Sequence, residues 1–296
     1  MPYIVLGIDG LEYNLAKKWG MKGLLQKYYG KHDVSVIKPL YTPILWSAIL
    51  VGVDPREHGF SIHDIDRKRA VYGYHPVLRY SYLLLRKITK RKTGLRSLLA
   101  KLGLFSYDRI KKGVSDIERM PTELRNLSVI EVLKSRGYKV WVKEFPSYND
   151  EVFSRARLTT VGLTKEKIWK NRFKRIEVYR QYTLRFFQEM IENLDSYDVF
   201  FYYTPLIDMA EHVFSRSFDL WGKTRLYRYY REVEQLVVKI NSKYPTLIVS
   251  DHGFDFKKHT HSDYGFWSVN YTPPFTPKTI FDFKNLILSS VEALNV

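Results

Sequence analysis

Apolar runs of four to six residues recur along the chain, separated by longer stretches whose apolar residues fall at helical spacing. The runs Tyr3–Ile8, Val34–Ile37, Tyr138–Val142, Val199–Tyr203 and Thr246–Val249 are rich in Val, Ile, Tyr and Phe, a composition that predicts strands. Helices are predicted over Pro43–Val51, Leu124–Arg136 (closed by Gly137), Lys165–Leu194 and Thr224–Ile240. This alternation predicts an α/β fold: a mostly parallel central sheet with helices on both faces, in one domain spanning 1–296. Residues 61–120 break the alternation and read as an insertion, or cap, carrying its own helices.

Charge sharpens that division. The net charge is +17, and the segment from Arg67 to Lys112 holds 14 Lys/Arg against one acid, Asp108, which makes +13 of it. The rest of the chain is nearly neutral. A run of this kind is either a solvated basic surface or a contact for a polyanion, here an anionic membrane surface or a nucleic acid. Within it Leu95, Leu98, Leu99 and Leu102 recur at helical spacing, with Arg86, Lys87, Lys90, Arg91 and Lys92 just upstream. That pattern suits a small helical cap packed on the body, or an apolar stripe resting on lipid. The chain has no cysteine, so disulfides, thiolate metal sites and a Cys nucleophile are excluded. It opens with "MPYIVLGIDG", a core strand from the third residue with none of the order of a secretory leader. The apolar stretch Leu40–Val53 is too short for a bilayer and contains Pro43. The expectation is a cytoplasmic protein, peripheral at the membrane if the basic segment seats on lipid.

In open α/β sheets ligands bind beyond the carboxyl ends of strands, and here those ends carry isolated acids and histidines. Asp9-Gly10 follows the first predicted strand; "TPLIDMAEH" follows the fourth; Asp251-His252-Gly253 follows the fifth, with His259 and His261 soon after. Asp208 and His212 are four residues apart, which on a helix puts both on one face, able to share one ion. Asp251 and His252 are adjacent, so in extended backbone they diverge to opposite sides of an ion. His259 and His261, two apart, would face the same way if extended. Thr42 precedes Pro43 and a helical run, the pattern of an N-cap with Pro at the first helical position. That geometry also sets a hydroxyl at a helix N-terminus, where phosphate is attracted. Mixed imidazole and carboxylate ligands favour zinc, with manganese or iron as the alternatives. Two such ions about 3.5–4 Å apart suit in-line displacement at phosphorus.

In order along the chain, "GIDG", "TPILWSAILVGVDPREHGF", "VIEVLKSRGYKVWVKEFPSY", "DMAEH", "SDHGF" and "HSDYGFWS" resemble the alkaline phosphatase superfamily, and within it the type I phosphodiesterase/nucleotide pyrophosphatase family. The resemblance covers about 3–60, 124–150 and 180–270. It implies an alkaline-phosphatase-like fold and two divalent ions, one held by Asp9, Asp251, His252 and Thr42, the other by Asp208, His212 and His261. It implies Thr42 as the nucleophile, and a structural role for His58. His261 is preferred to His259 because a glycine stands four residues after it. Leu45 occupies a position where the family often carries Asn against a phosphoryl oxygen.

The function implied is a two-metal phosphohydrolase that cleaves phosphodiester or pyrophosphate bonds through a phosphothreonine intermediate, with a phosphate ester as substrate. A phosphomonoesterase or phosphotransferase of the same superfamily is the nearest alternative. A sulfatase is disfavoured because its formylglycine is made from Cys or Ser, and Thr stands here. A polyanion- or membrane-binding protein on an inactive scaffold is the alternative of another class, and the intact set of seven ligand-type residues argues against it.

Overall fold

The computed structural model describes residues 1–75, 102–157, 165–215 and 220–296. Its first strand, β1 (Tyr3–Ile8), is buried at all six positions. A strand that apolar must be covered on both faces and paired on both edges. It pairs in parallel with β4 (Val199–Thr204) and β5 (Thr246–Val249), which are also buried throughout. With β2 (Tyr28–Asp33), β3 (Val140–Lys143) and β8 (Tyr264–Val269) they form one six-stranded sheet in the order β2-β8-β5-β1-β4-β3. Only β8 runs against the others, being antiparallel to both β5 and β2. A two-stranded ribbon, β6 (Phe254–Asp255) with β7 (Thr260–His261), projects between β5 and β8. The protein is thus an α/β fold built on a mostly parallel sheet.

Around the sheet lie α1 (Tyr13–Lys18), α2 (Thr42–Val51), α3 (Ile62–Gly73), α4 (Tyr107–Lys112), α5 (Val114–Glu118), α6 (Thr122–Asn126), α7 (Val129–Ser135), α8 (Val152–Arg157), α9 (Lys165–Glu192), α10 (Leu206–Phe214), α11 (Leu220–Asn241) and α12 (Phe283–Ala293). Among the described residues no helix is long and apolar enough to cross a membrane. Residues 62–75 and 102–120 stay outside the sheet and are largely helical. The basic side chains Arg86, Lys87, Lys90, Arg91 and Lys92, and the leucines Leu95, Leu98 and Leu99, lie outside the described residues; Leu102 is exposed.

Three elements differ from expectation. Val34–Ile37 is a turn, with the amide of Ile37 donating to the carbonyl of Val34 at 3.1 Å. Its apolar residues Val34 and Ile37 are fully buried, but as plugs at the end of β2, not as a strand. The strand itself is Tyr28–Asp33, whose polar Lys31, His32 and Asp33 disguise it; it is an edge strand, paired along its length with β8 and on its other side only at Asp33, whose amide donates to the Lys278 carbonyl at 2.7 Å. The predicted helix over Leu124–Arg136 is two helices, because the Ser128 hydroxyl accepts from the amide of Glu131 and starts a new one. Thr42 is the first residue of α2 and not its cap; Tyr41 holds the cap position with extended backbone, and Pro43 follows in the first turn.

Strand register positions the site. Ile8 pairs with Thr204 and Gly7 with Val249, so β1, β4 and β5 end at one level. Two glycines let other elements close on that edge. A Cβ at Gly7 would lie 2.9 Å from the Trp46 ring of α2. Gly10 has φ +71, and a Cβ there would lie 2.7 Å from Cβ of Asp208, whose amide donates to the Asp9 carbonyl at 3.1 Å.

Two alanine substitutions separate conformation from contact. Gly20 also has positive φ, +62, but faces open space. Gly20→Ala is therefore expected to cost about 1–2 kcal/mol, the left-handed penalty alone. Gly10→Ala is expected to cost more than about 3 kcal/mol, since α10 must also move. Urea denaturation of both proteins measures the difference; equal losses would show that α10 does not press on Gly10.

Candidate metal centre

Asp9 leaves β1, Asp208 and His212 lie one turn apart on α10 just after β4, and Asp251 and His252 leave β5 after Ser250. His261 arrives from the far side, on β7 of the ribbon. Two groups of ligand atoms form, with all atoms of each within 4.8 Å of one another: Asp9, Asp251 and His252, and Asp208, His252 and His261. His252 belongs to both. Its Nε2 lies 3.3 Å from Asp9 Oδ1 and 3.6 Å from Asp251 Oδ2, and its ring stacks on that of His261 at 3.7 Å. His212 is outside both groups but touches the second: its Nε2 is 3.3 Å from Asp208 Oδ1 and 3.0 Å from His261 Nε2. The first group is almost sealed from water, while the second opens to solvent through His212, whose side chain is 40% exposed.

The polar atoms in this cluster are orphaned. Asp9 Oδ1, Asp208 Oδ1, both Asp251 oxygens and His252 Nε2 are buried without a hydrogen-bond partner. Each would ordinarily cost about 1–3 kcal/mol or more, so five converging at one place call for a ligand. Three carboxylates and three imidazoles are the donor set of zinc or a similar divalent ion, and the residues fit such a group. Glu144, beyond the end of β3, is a contrast. It is equally buried, but its Oε2 accepts from the amides of Glu151, Val152 and Phe153, so it is filled by the protein itself.

Charge in the cluster is correspondingly strained. Burial, and then the Asp9 carboxylate, push Asp251 well above the usual carboxylate range. Burial disfavours a charged His252, but Asp251 and Asp9 outweigh it and raise the imidazole to about 10. Burial would raise Asp208 too, yet His212 and His261 hold it below its ordinary value. His261 is pushed down to about 4 by burial and by the neighbouring His252. Concentrated negative charge out of water draws a proton onto His252; a divalent cation would neutralise it more completely.

Sequence reasoning missed the side chains that aim these ligands. Tyr203, fully buried in β4, donates its hydroxyl to Asp9 Oδ2, leaving Oδ1 to face the cluster. The Ser250 hydroxyl accepts from the Leu11 amide at 2.9 Å and donates to the His252 carbonyl at 2.7 Å, tying the β1 and β5 exits together. His32 reaches the Ser250 carbonyl at 2.8 Å, across a spot where any residue but Gly265 would collide. Glu12 accepts from the Phe254 amide at 3.0 Å and the Tyr264 hydroxyl at 2.8 Å, bracing the ribbon that carries His261. A Glu four residues past the end of β1 was the only signal available for any of them.

His259 has φ +52, so it and His261 do not share an extended backbone; it is exposed and outside both groups. His58 is exposed on a short 3-10 turn, Pro55–His58. Thr42 stands at the start of α2, whose Trp46, one turn on, packs on Gly7 and lies 5.3 Å from the Tyr203 ring.

No protein-family model and no curated protein matches the chain. Among solved structures it is similar to the PH0037 protein from Pyrococcus horikoshii, with 12% identity over 99% of this chain and 97% of that one and a TM-score of 0.46. A likeness that loose carries no weight for function.

Tyr203→Phe keeps the ring packing and removes only the hydroxyl on Asp9. Zinc affinity, measured by competition with a chelating dye, is expected to fall about 10–100-fold; unchanged affinity would mean that Asp9 takes no part in binding. A second expectation concerns Glu144. Burial, and then Asp150, raise it from 4.5 to about 7, so the folded chain keeps a proton that the unfolded chain releases near 4.5. Stability contributed by this group therefore falls as pH rises from about 4.5 to about 7. Glu144→Gln is expected to flatten that fall and to be the more stable protein at pH 8, read as the urea midpoint across the range.

Proposed function

We propose that the chain is a two-metal phosphohydrolase of alkaline-phosphatase-like architecture, acting on phosphodiester or pyrophosphate bonds with Thr42 as nucleophile. The observation that supports it most is the convergence of orphaned atoms from Asp9, Asp208, Asp251 and His252 on one sheet edge. Asp9, Asp251 and His252, with Thr42, would hold one ion, and Asp208, His212 and His261 the other, with zinc the best match to the donors. Bound there, two divalent ions supply Lewis-acid activation of a hydroxyl and neutralise charge on the phosphoryl oxygens.

The protein's own residues then have distinct tasks. Thr42 loses its proton and attacks phosphorus as the leaving alcohol or phosphate departs, giving a phosphothreonine. Water cleaves that ester and returns the hydroxyl. Burial of Asp9 and Asp251 keeps solvent from the ion they would share with Thr42, while the His212 side stays open for substrate and water. The basic segment 67–112 would draw anionic substrate towards a nearly neutral body.

The deciding experiment combines zinc analysis with turnover of bis(4-nitrophenyl) phosphate and of 4-nitrophenyl phosphate. The expected result is close to two ions per chain and a faster diester reaction. Asp251→Ala or Asp208→Ala should each lose an ion and nearly all activity. Thr42→Ala should abolish turnover while Thr42→Ser retains part of it. A zinc-loaded wild type that hydrolyses neither ester would leave a metal-binding scaffold, and full activity in Thr42→Ala would make water the direct nucleophile.

A further inference from the structure

Tyr41 caps α2 but gives the helix no side-chain hydrogen bond. Its hydroxyl donates instead to Glu118 Oε1 at 2.7 Å and accepts from Arg69 Nη2, while Arg69 Nη2 also reaches that Glu118 oxygen at 2.5 Å. The Arg69 guanidinium lies 5.5 Å from the Tyr41 ring centre. Arg69 comes from α3 and Glu118 from α5, so both belong to the insertion, and Glu118 is only 3% exposed. A carboxylate buried to that degree needs its partners, and the three side chains therefore hold as a unit.

This unit acts on the residue next to Thr42. The amides of Ile44 and Leu45 both close on the Tyr41 carbonyl, at 2.9 and 3.1 Å, so the first turn of α2 takes its direction from Tyr41. On the other side of the connecting loop, Arg56 donates to the carbonyls of Val36 at 2.8 Å and Lys38 at 3.2 Å while gripping Asp54. The loop from β2 to α2 is thus clamped from the body by Arg56 and from the insertion by Arg69.

We infer that the Arg69–Tyr41–Glu118 triad docks the insertion onto the start of α2 and so sets the orientation of Thr42, with Arg69 the positioning residue. The triad is not a substrate contact: Nη2 is committed to Tyr41 and Glu118, Nη1 faces Asp66 at 3.5 Å, and Nε is buried. The consequence for catalysis rests on the reading of Thr42 as nucleophile. It also gives the insertion a role independent of its charge, since whatever moves α3 or α5 moves the backbone at Thr42.

Tyr41→Phe removes one hydroxyl and leaves the Arg69–Glu118 pair, so the protein should fold; Arg69→Lys is the second variant. In both, amide hydrogen exchange is expected to rise about tenfold in residues 41–46 and 62–73, with β1 and β5 unchanged. The kcat for bis(4-nitrophenyl) phosphate should fall about tenfold, with KM within about twofold and zinc content at the wild-type level, the pattern of a misaimed nucleophile. In a Thr42→Ala background, any residual turnover should no longer respond to Tyr41→Phe. Exchange that matches wild type in both variants overturns the docking. Altered exchange with unaltered kcat overturns the positioning role. A wild type without turnover whose exchange still responds sinks the nucleophile reading and upholds the docking.

Discussion

Asp9, Asp208 and Asp251 bring three carboxylates together where water is almost excluded, and the rest of the structure is arranged around that concentration of charge. Removed from solvent, such a cluster is unfavourable unless positive charge joins it. His252 and His212 do so in part, each holding its proton above the ordinary imidazole range, while burial and the neighbouring His252 make His261 give its own up. The cluster is tolerable only because the sheet beneath it is rigid and apolar enough to carry the cost. β1, β4 and β5 are buried at every position, and Trp46, Phe145 and Tyr203 pack edge to face under the site.

Rigidity also explains the division of labour within the cluster. The ligands that leave strands are the sealed ones, and hydrogen bonds from Tyr203 and Ser250 leave them little freedom. The more exposed ligands come from a helix and a two-stranded ribbon. His212 rides on α10, pressed close by Gly10, and His261 on a ribbon braced by Glu12. A cluster built this way holds one position tightly and leaves the other open, the asymmetry that the proposed hydrolysis would need.

The nucleophile assignment stands on different ground from the ligand set. The acids and histidines converge in space; Thr42 is linked to them through α2, whose Trp46 packs on Gly7, and through a loop held by two arginines. Arg69 gives the insertion a mechanical connection to the proposed chemistry, whatever its basic charges contact.

Much of this was legible in the chain before any coordinates, and the reason is local. Buried parallel strands write themselves as apolar runs, so β1, β4 and β5 were plain, and an acid or histidine directly after such a run must emerge at the carboxyl edge. Asp9, Asp251 and His252 could be picked out that way, and Asp208 and His212 by their four-residue spacing in the segment after β4. Elements whose identity depends on partners were not legible. β2 is polar because it is an edge strand; β8 was hidden among loop-like residues; Ser128 split a helix by a hydrogen bond that spacing does not reveal. Tyr203, Ser250, His32 and the Arg69 triad could not be read at all, because each acts on a residue at least 28 positions away. The sequence by itself determined which residues lie at strand ends, since burial pattern is a property of a few consecutive side chains. Only the tertiary structure decided which of those ends meet, that His252 serves both halves of the cluster, and that His259 turns away, because sheet order, register and the sign of one backbone angle arise from contacts between distant segments.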